Sequence, residues 1–119
     1  AQLVGTSMVE FFRASWIADY PDAENYLSLF YSENFSPAGP NYTHFNQPAF
    51  DALYLKSQQT FNNEERYELY RKMNDLAMDD APVVILYYDE VLRFVSRKFT
   101  GLGSNPINLL DLRHTKHKQ

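Results

Sequence analysis

The chain has no cysteine among its 119 residues. That excludes disulfides, thiolate catalysis and cysteine-built metal sites, while leaving the compartment open. Glycine is scarce, four in all, and no phosphate-cradling loop can be assembled from them. The three histidines stand at 44, 114 and 117, without the i,i+4 spacing of a helical zinc motif, so no metal site is expected. No GxSxG elbow is present and no serine has an evident partner histidine, so no catalytic residue and no cofactor are expected. Long apolar runs are also missing, and nothing approaches the roughly 20 residues that span a bilayer. Positive charge is in deficit, with 11 Lys and Arg against 15 Asp and Glu and a net charge of −4. A phosphate backbone needs a clustered cationic face, so a nucleic-acid partner is not expected. The one basic cluster, Arg113, His114, Lys116, His117 and Lys118, reads as a solvated tail. The chain opens at Ala1 rather than Met and shows no signal peptide, so an upstream region is expected.

Aromatic residues are abundant. Nine Tyr, nine Phe and one Trp make up 16% of the chain, enough for a packed core and for a half-wet binding surface. Residues 8–16, MVEFFRASW, are rich in β-formers and read as a strand. Asp19, Tyr20, Pro21 and Asp22 end it with turn chemistry. ENYLSLFY (24–31) suits a short helix with Leu27, Phe30 and Tyr31 on one face, and Ser32–Asn46 reads as an irregular loop. Asn46 or Gln47 opens a helix with Pro48 in its first turn, and Phe50, Leu53, Tyr54 and Ser57 form its inner stripe. Asn62 and Glu65 resemble a capping box for a longer helix ending near Asp79. Its inner face would be Tyr67, Tyr70, Met73, Leu76 and Ala77, with Glu68–Lys72 and Arg71–Asp75 paired on the wet side. VVILYY (83–88) is a continuous apolar run expected to be a strand buried on both faces. VLRFV (91–95) and part of INLLDLRH (107–114) suggest further strands. The fold class is α/β, of a mixed α+β kind.

Acidic residues offer little by themselves. Asp19, Asp22 and Glu24 crowd one turn but lack the pattern of a calcium loop. Asp19 with Glu10 or Glu24 could flank a sugar, yet 15 acids supply many such pairs. More distinctive is Arg13-Ala-Ser-Trp16-Ile-Ala-Asp19-Tyr20-Pro21-Asp22, where a presumed strand ends in Trp and a carboxylate follows three residues later. A carboxylate beside an aromatic wall makes a socket for an ammonium group. The alternative is that Trp16 plugs the core and Asp19 caps a turn; spacing leaves both open.

WIADYPDAENYLSLFYS, NYTHFNQPAFDALY, ERYELYRKMN and DAPVVILYYDEVLRFV together resemble the C-terminal region of one family, in order and over essentially the whole chain. These are the solute-binding proteins of dipeptide, oligopeptide and nickel ABC importers. The resemblance implies part of the C-terminal lobe of a two-lobed, periplasmic-binding-protein-like fold that closes on its ligand. Residues 1–80 would belong to that second lobe, and 81–119 would form hinge-proximal strands returning toward the first. Asp19 would salt-bridge the α-amino group of a peptide, Trp16 would line a side-chain pocket, and Arg13 would help bind the carboxylate end. Tyr20 joins them as a ligand-binding candidate, while Ile17 and Ala18 offer no polar contact. The expected partners are a peptide, ABC permease subunits and the N-terminal lobe of the same protein, with self-association of the isolated fragment. The expected location is the periplasm or the outer face of the cytoplasmic membrane, with a lipid anchor as one means of attachment. The same fold could take a nickel chelate, an opine or an oligosaccharide, and the aromatic surface leaves a carbohydrate-active module as a rival.

Overall fold

Helix ends decide where the helices lie. In the computed structural model, which describes residues 11–88, 90–105 and 109–118, helix α1 (Glu24–Leu27) runs into 3-10 turns at Ser28–Phe30 and Ser32–Asn34. Helices α2 (Pro48–Gln58) and α3 (Asn63–Asp80) follow. Pro48 opens α2, where its fixed φ suits a helix and its missing N–H is not needed. Asn62 caps α3, its side chain accepting from the Glu64 and Glu65 amides at 2.9 and 3.1 Å. Those two acids also favour the positive end of the helix dipole. At the other end Ala81 turns left-handed (φ 47°, ψ 48°) and its N–H closes on the Ala77 carbonyl at 3.0 Å. Pro82 then follows, and a proline disfavours helical geometry in the residue before it.

The core lies where α2 and α3 pack together under the loop that precedes them. Leu27, Phe45, Phe50, Tyr54, Tyr70, Met73 and Ala77 form one buried cluster, edged by Phe30, Tyr31, Leu53 and Leu76. Phe50 and Met73 are wholly buried. Phe30, Phe45 and Phe50 meet edge to face with centroids 5.4 to 6.3 Å apart, an arrangement that aromatic quadrupoles favour. The α2 stripe is as expected. On α3, however, Leu69 is buried and Tyr67 is half exposed at 48%. The outer face of α3 pairs Glu68 with Arg71, one turn apart at i,i+3, rather than at the expected spacing.

The loop before α2 is far from structureless. Asn41 is fully buried and acts as its hub. Its amide donates to the Tyr31 and Phe45 carbonyls at 3.1 and 3.0 Å, and its oxygen accepts from the Thr43 hydroxyl and the Phe45 amide. Asp51 of α2 ties down the front of the loop by accepting from the Ser32 amide and hydroxyl at 3.1 and 2.6 Å. Gly39 is required here, since a Cβ would lie 2.4 Å from the Asn34 carbonyl oxygen.

These elements belong to a compact unit reaching to Ile85, and a second unit begins at Leu86. In the second, β1 (Phe99–Thr100) pairs antiparallel with β2 (Lys116–His117), Phe99 opposite His117. Arg113 grips Asp111 through two nitrogens and holds its carboxyl down at about 2. The chain is therefore mixed, mainly helical with one small sheet, and compatible with the expected α/β class.

The expected strands are the correction. Residues 11–18 form no strand, and residues 8–10 of that segment lie outside the described residues. Residues 83–88 and 91–95 are not strands either, and most of their apolar side chains face solvent: Ile85 at 57%, Tyr88 at 87%, Phe94 at 96%. In the 107–114 segment, 109–114 form no strand, while 107 and 108 lie outside the described residues. An apolar run becomes a buried strand only where neighbouring backbone accepts its ladder and packed side chains cover both faces. Among the described residues nothing does so for 83–95.

Candidate ligand-binding site

Segment 16–24 folds back against the two-helix body through its polar groups. Asp22 accepts from the Glu24 amide at 2.9 Å, starting α1, and pairs with Arg66 of α3 at 3.2 Å. The pKa of the Tyr70 phenol is pushed above its ordinary value, by burial first and by the neighbouring Asp22 carboxylate second. Arg66 lies 5.9 Å over the Tyr70 ring. Glu24 uses both carboxylate oxygens, one for the Tyr20 phenol and one for the Tyr54 phenol of α2. Asp22 and Glu24 are thus held by one guanidinium and two phenols. Among the described residues no cluster of His, Cys, Asp and Glu is arranged to hold a metal.

This seam has a testable pH signature. Burial, and then the bond to Glu24, raise the Tyr54 pKa above its ordinary 10.0. The native state therefore keeps a proton that the unfolded chain releases. Stability from this group is fully present below pH 10, and it is lost as pH rises from there through the raised native value. Denaturant titrations from neutral pH to about pH 11 should show stability falling above about pH 10. Tyr54→Phe should make that fall shallower, with the raised Tyr70 phenol keeping part of it, while lowering neutral-pH stability by about 1 kcal/mol. An equally steep fall in the variant would remove Tyr54 from the account.

Asn25 links this seam to the candidate residues. It is 3% exposed, and its Oδ1 accepts the Trp16 indole N–H at 2.7 Å and the Asp19 main-chain N–H at 3.3 Å. Trp16 is 36% exposed and outside the core cluster, so it is not a core plug. Asp19 lies at an exposed position. Arg13 sits on the exposed stretch leading into Trp16. Sequence reasoning missed Asn25, Arg66, Tyr54 and Tyr70. A readable sign of Asn25 was its place six residues after Asp19, at the start of a short helix.

Hollows on the surface do not compete with this turn. One of about 180 Å³ lies between Tyr20, Asp22 and Glu24 on one side and Ser57, Gln58, Arg66 and Tyr70 on the other. It is smaller than the roughly 300–1,000 Å³ of ordinary small-molecule sites, and it is the seam just described. Another, of about 430 Å³, is bounded by Glu64, Glu65, Tyr67, Glu68 and Arg71 of α3 alone, so no second element closes it.

No family model matches the chain. Comparison with curated proteins is informative. The chain is 30% identical over 97 residues, 81% of its length, to the periplasmic oligopeptide-binding protein OppA of Salmonella typhimurium. It is 32% identical over 96 residues, 75% of its length, to the oligopeptide-binding protein OppA of Bacillus subtilis. The dipeptide-binding protein of Escherichia coli is 26% identical over 92 residues, 77% of the chain. All three are named as peptide-binding proteins. The chain spans about 17% of the length of each of these three. By name they are binding proteins rather than enzymes, and the Salmonella relative is periplasmic.

Proposed function

We propose that the chain is the C-terminal segment of an extracytoplasmic peptide-binding protein that delivers peptides to an ABC importer. The turn from Trp16 to Tyr20 would hold the amino end of the peptide. The observation carrying this reading is the pair of hydrogen bonds by which the buried Asn25 holds Trp16 and Asp19, within a chain similar to peptide-binding proteins over most of its length. Asp19 supplies the acceptor for an ammonium group, Trp16 an apolar wall, and Arg13 a cation for the carboxylate end. An exposed carboxylate is a weak anchor in water, and it strengthens when a second lobe closes over the ligand and lowers the local dielectric.

Residues 1–80 are assigned to the second lobe, and 81–119 to hinge-proximal strands returning toward the first. The exposed apolar side chains of 83–95 support that division, because such a run calls for cover from another part of the same protein. Without it, the isolated chain should self-associate. The protein would act in the periplasm or on the outer face of the cytoplasmic membrane, free or lipid-anchored, beside ABC permease subunits.

The test is to purify the full-length protein without denaturation and identify what it carries by mass spectrometry. The expected result is a mixture of peptides, bound stoichiometrically and released unchanged. Recovery of a nickel chelate, an opine or an oligosaccharide as the sole tight ligand would overturn the peptide assignment. Turnover of a carbohydrate would replace it with the enzymatic alternative.

A further inference from the structure

Resting on the proposed ammonium socket, we infer that Asn25 is the positioning residue that sets the Trp16 ring and the Asp19 carboxylate at a fixed spacing. An indole N–H can only donate, and so can a main-chain N–H. The atom of Asn25 that meets both is therefore its carbonyl oxygen, so hydrogen-bond chemistry settles which way the amide points. One atom with two lone pairs takes the side chain of Trp16 and the backbone of Asp19 together. The two bonds fix the ring plane at one end of the motif and the main chain that carries the carboxylate at the other.

Asn25 is itself held from below. Its main-chain N–H donates to the Asp22 carbonyl at 3.1 Å, and the Ser28 hydroxyl donates to its main-chain carbonyl at 2.9 Å. Two residues on, Leu27 is anchored in the hydrophobic core. The link therefore runs from core to short helix to amide to site. Asn25 itself, 3% exposed, is nearly closed to solvent, so it acts through Trp16 and Asp19. Its side-chain length matters. Glutamine would carry the oxygen one methylene further and could not meet both donors from the same backbone position. Alanine would leave the indole and the Asp19 amide without this acceptor.

The experiment uses the full-length protein labelled with nitrogen-15, with two readouts. The first is the Trp16 indole N–H resonance, assigned by its disappearance in Trp16→Phe. The second is the ratio of affinities for a free peptide and its N-acetylated form, measured by calorimetry. Asn25→Ala should move the indole resonance toward its solvent-exposed position and reduce the ratio by about tenfold to a hundredfold. Should Asn25→Ala fail to fold, Asn25→Gln carries the test: a folded variant with a reduced ratio supports the inference, and an unchanged ratio overturns it. A loss of thermal stability alone, with ratio and resonance unchanged, would make Asn25 merely structural and overturn the inference. A wild-type protein that binds acetylated and free peptides equally would instead sink the socket on which the inference rests.

Discussion

Asp19→Ala in the full-length protein should weaken peptide binding by about 2–5 kcal/mol. The magnitude carries the argument. In the structure Asp19 occupies an exposed position, its backbone held by Asn25. An ion pair formed at such a position and left in water would contribute only about 0.2–1 kcal/mol. A larger loss requires that the peptide ammonium be enclosed, so that removing Asp19 leaves a buried charge without its partner. Calorimetry with one peptide in free and N-acetylated forms separates the two cases. Acetylation removes the ammonium, so the acetylated peptide should bind wild type poorly and should be nearly indifferent to Asp19→Ala. A loss below about 1 kcal/mol with the free peptide would mean that Asp19 does not meet the amine in a closed site.

What was legible in the sequence follows from whether the signal is local. Helices α2 and α3 were placed to within a residue or two because Pro48, Asn62 and their apolar spacings act within a few turns. The stretch after Ser32 is the irregular loop its composition predicts, but its order is not legible because it comes from one buried side chain, Asn41, whose partners lie four and ten residues away. Tyr67 was placed inside and Leu69 left out because a helical stripe on α3 can be drawn along two neighbouring rows; only packing against α2 chooses between them. The candidate site was half legible. Trp16, Asp19 and Tyr20 stood out by type and spacing, whereas the groups that hold them come from α1, α2 and α3. The apolar run at 83–88 promised a central strand, but a strand is a relation between segments, and among the described residues none pairs with it.

The same contrast sets the largest expected change in stability. Phe50→Ala should destabilise the chain by about 3–5 kcal/mol. Phe50 is wholly buried, it meets Phe30 and Phe45 edge to face, and it sits in the cluster that joins α2 to α3. Its loss removes a large apolar side chain and leaves a cavity between two helices that cannot close without giving up other contacts. Phe94, of the same residue type, is 96% exposed, and Phe94→Ala in this chain should fall within about 0.5 kcal/mol of wild type. Urea titrations of both variants measure the difference directly, since the midpoint shifts at constant slope when only stability changes. Equal effects would mean that 83–95 is packed in solution, contrary to its exposure here. Repeating Phe94→Ala in the full-length protein then tests the lobe assignment. If the remainder of the protein covers this segment, the same substitution should cost about 3 kcal/mol or more there, as core phenylalanines do. A negligible cost in both settings would leave the segment exposed in the whole protein and remove the support it lends to a two-lobed architecture.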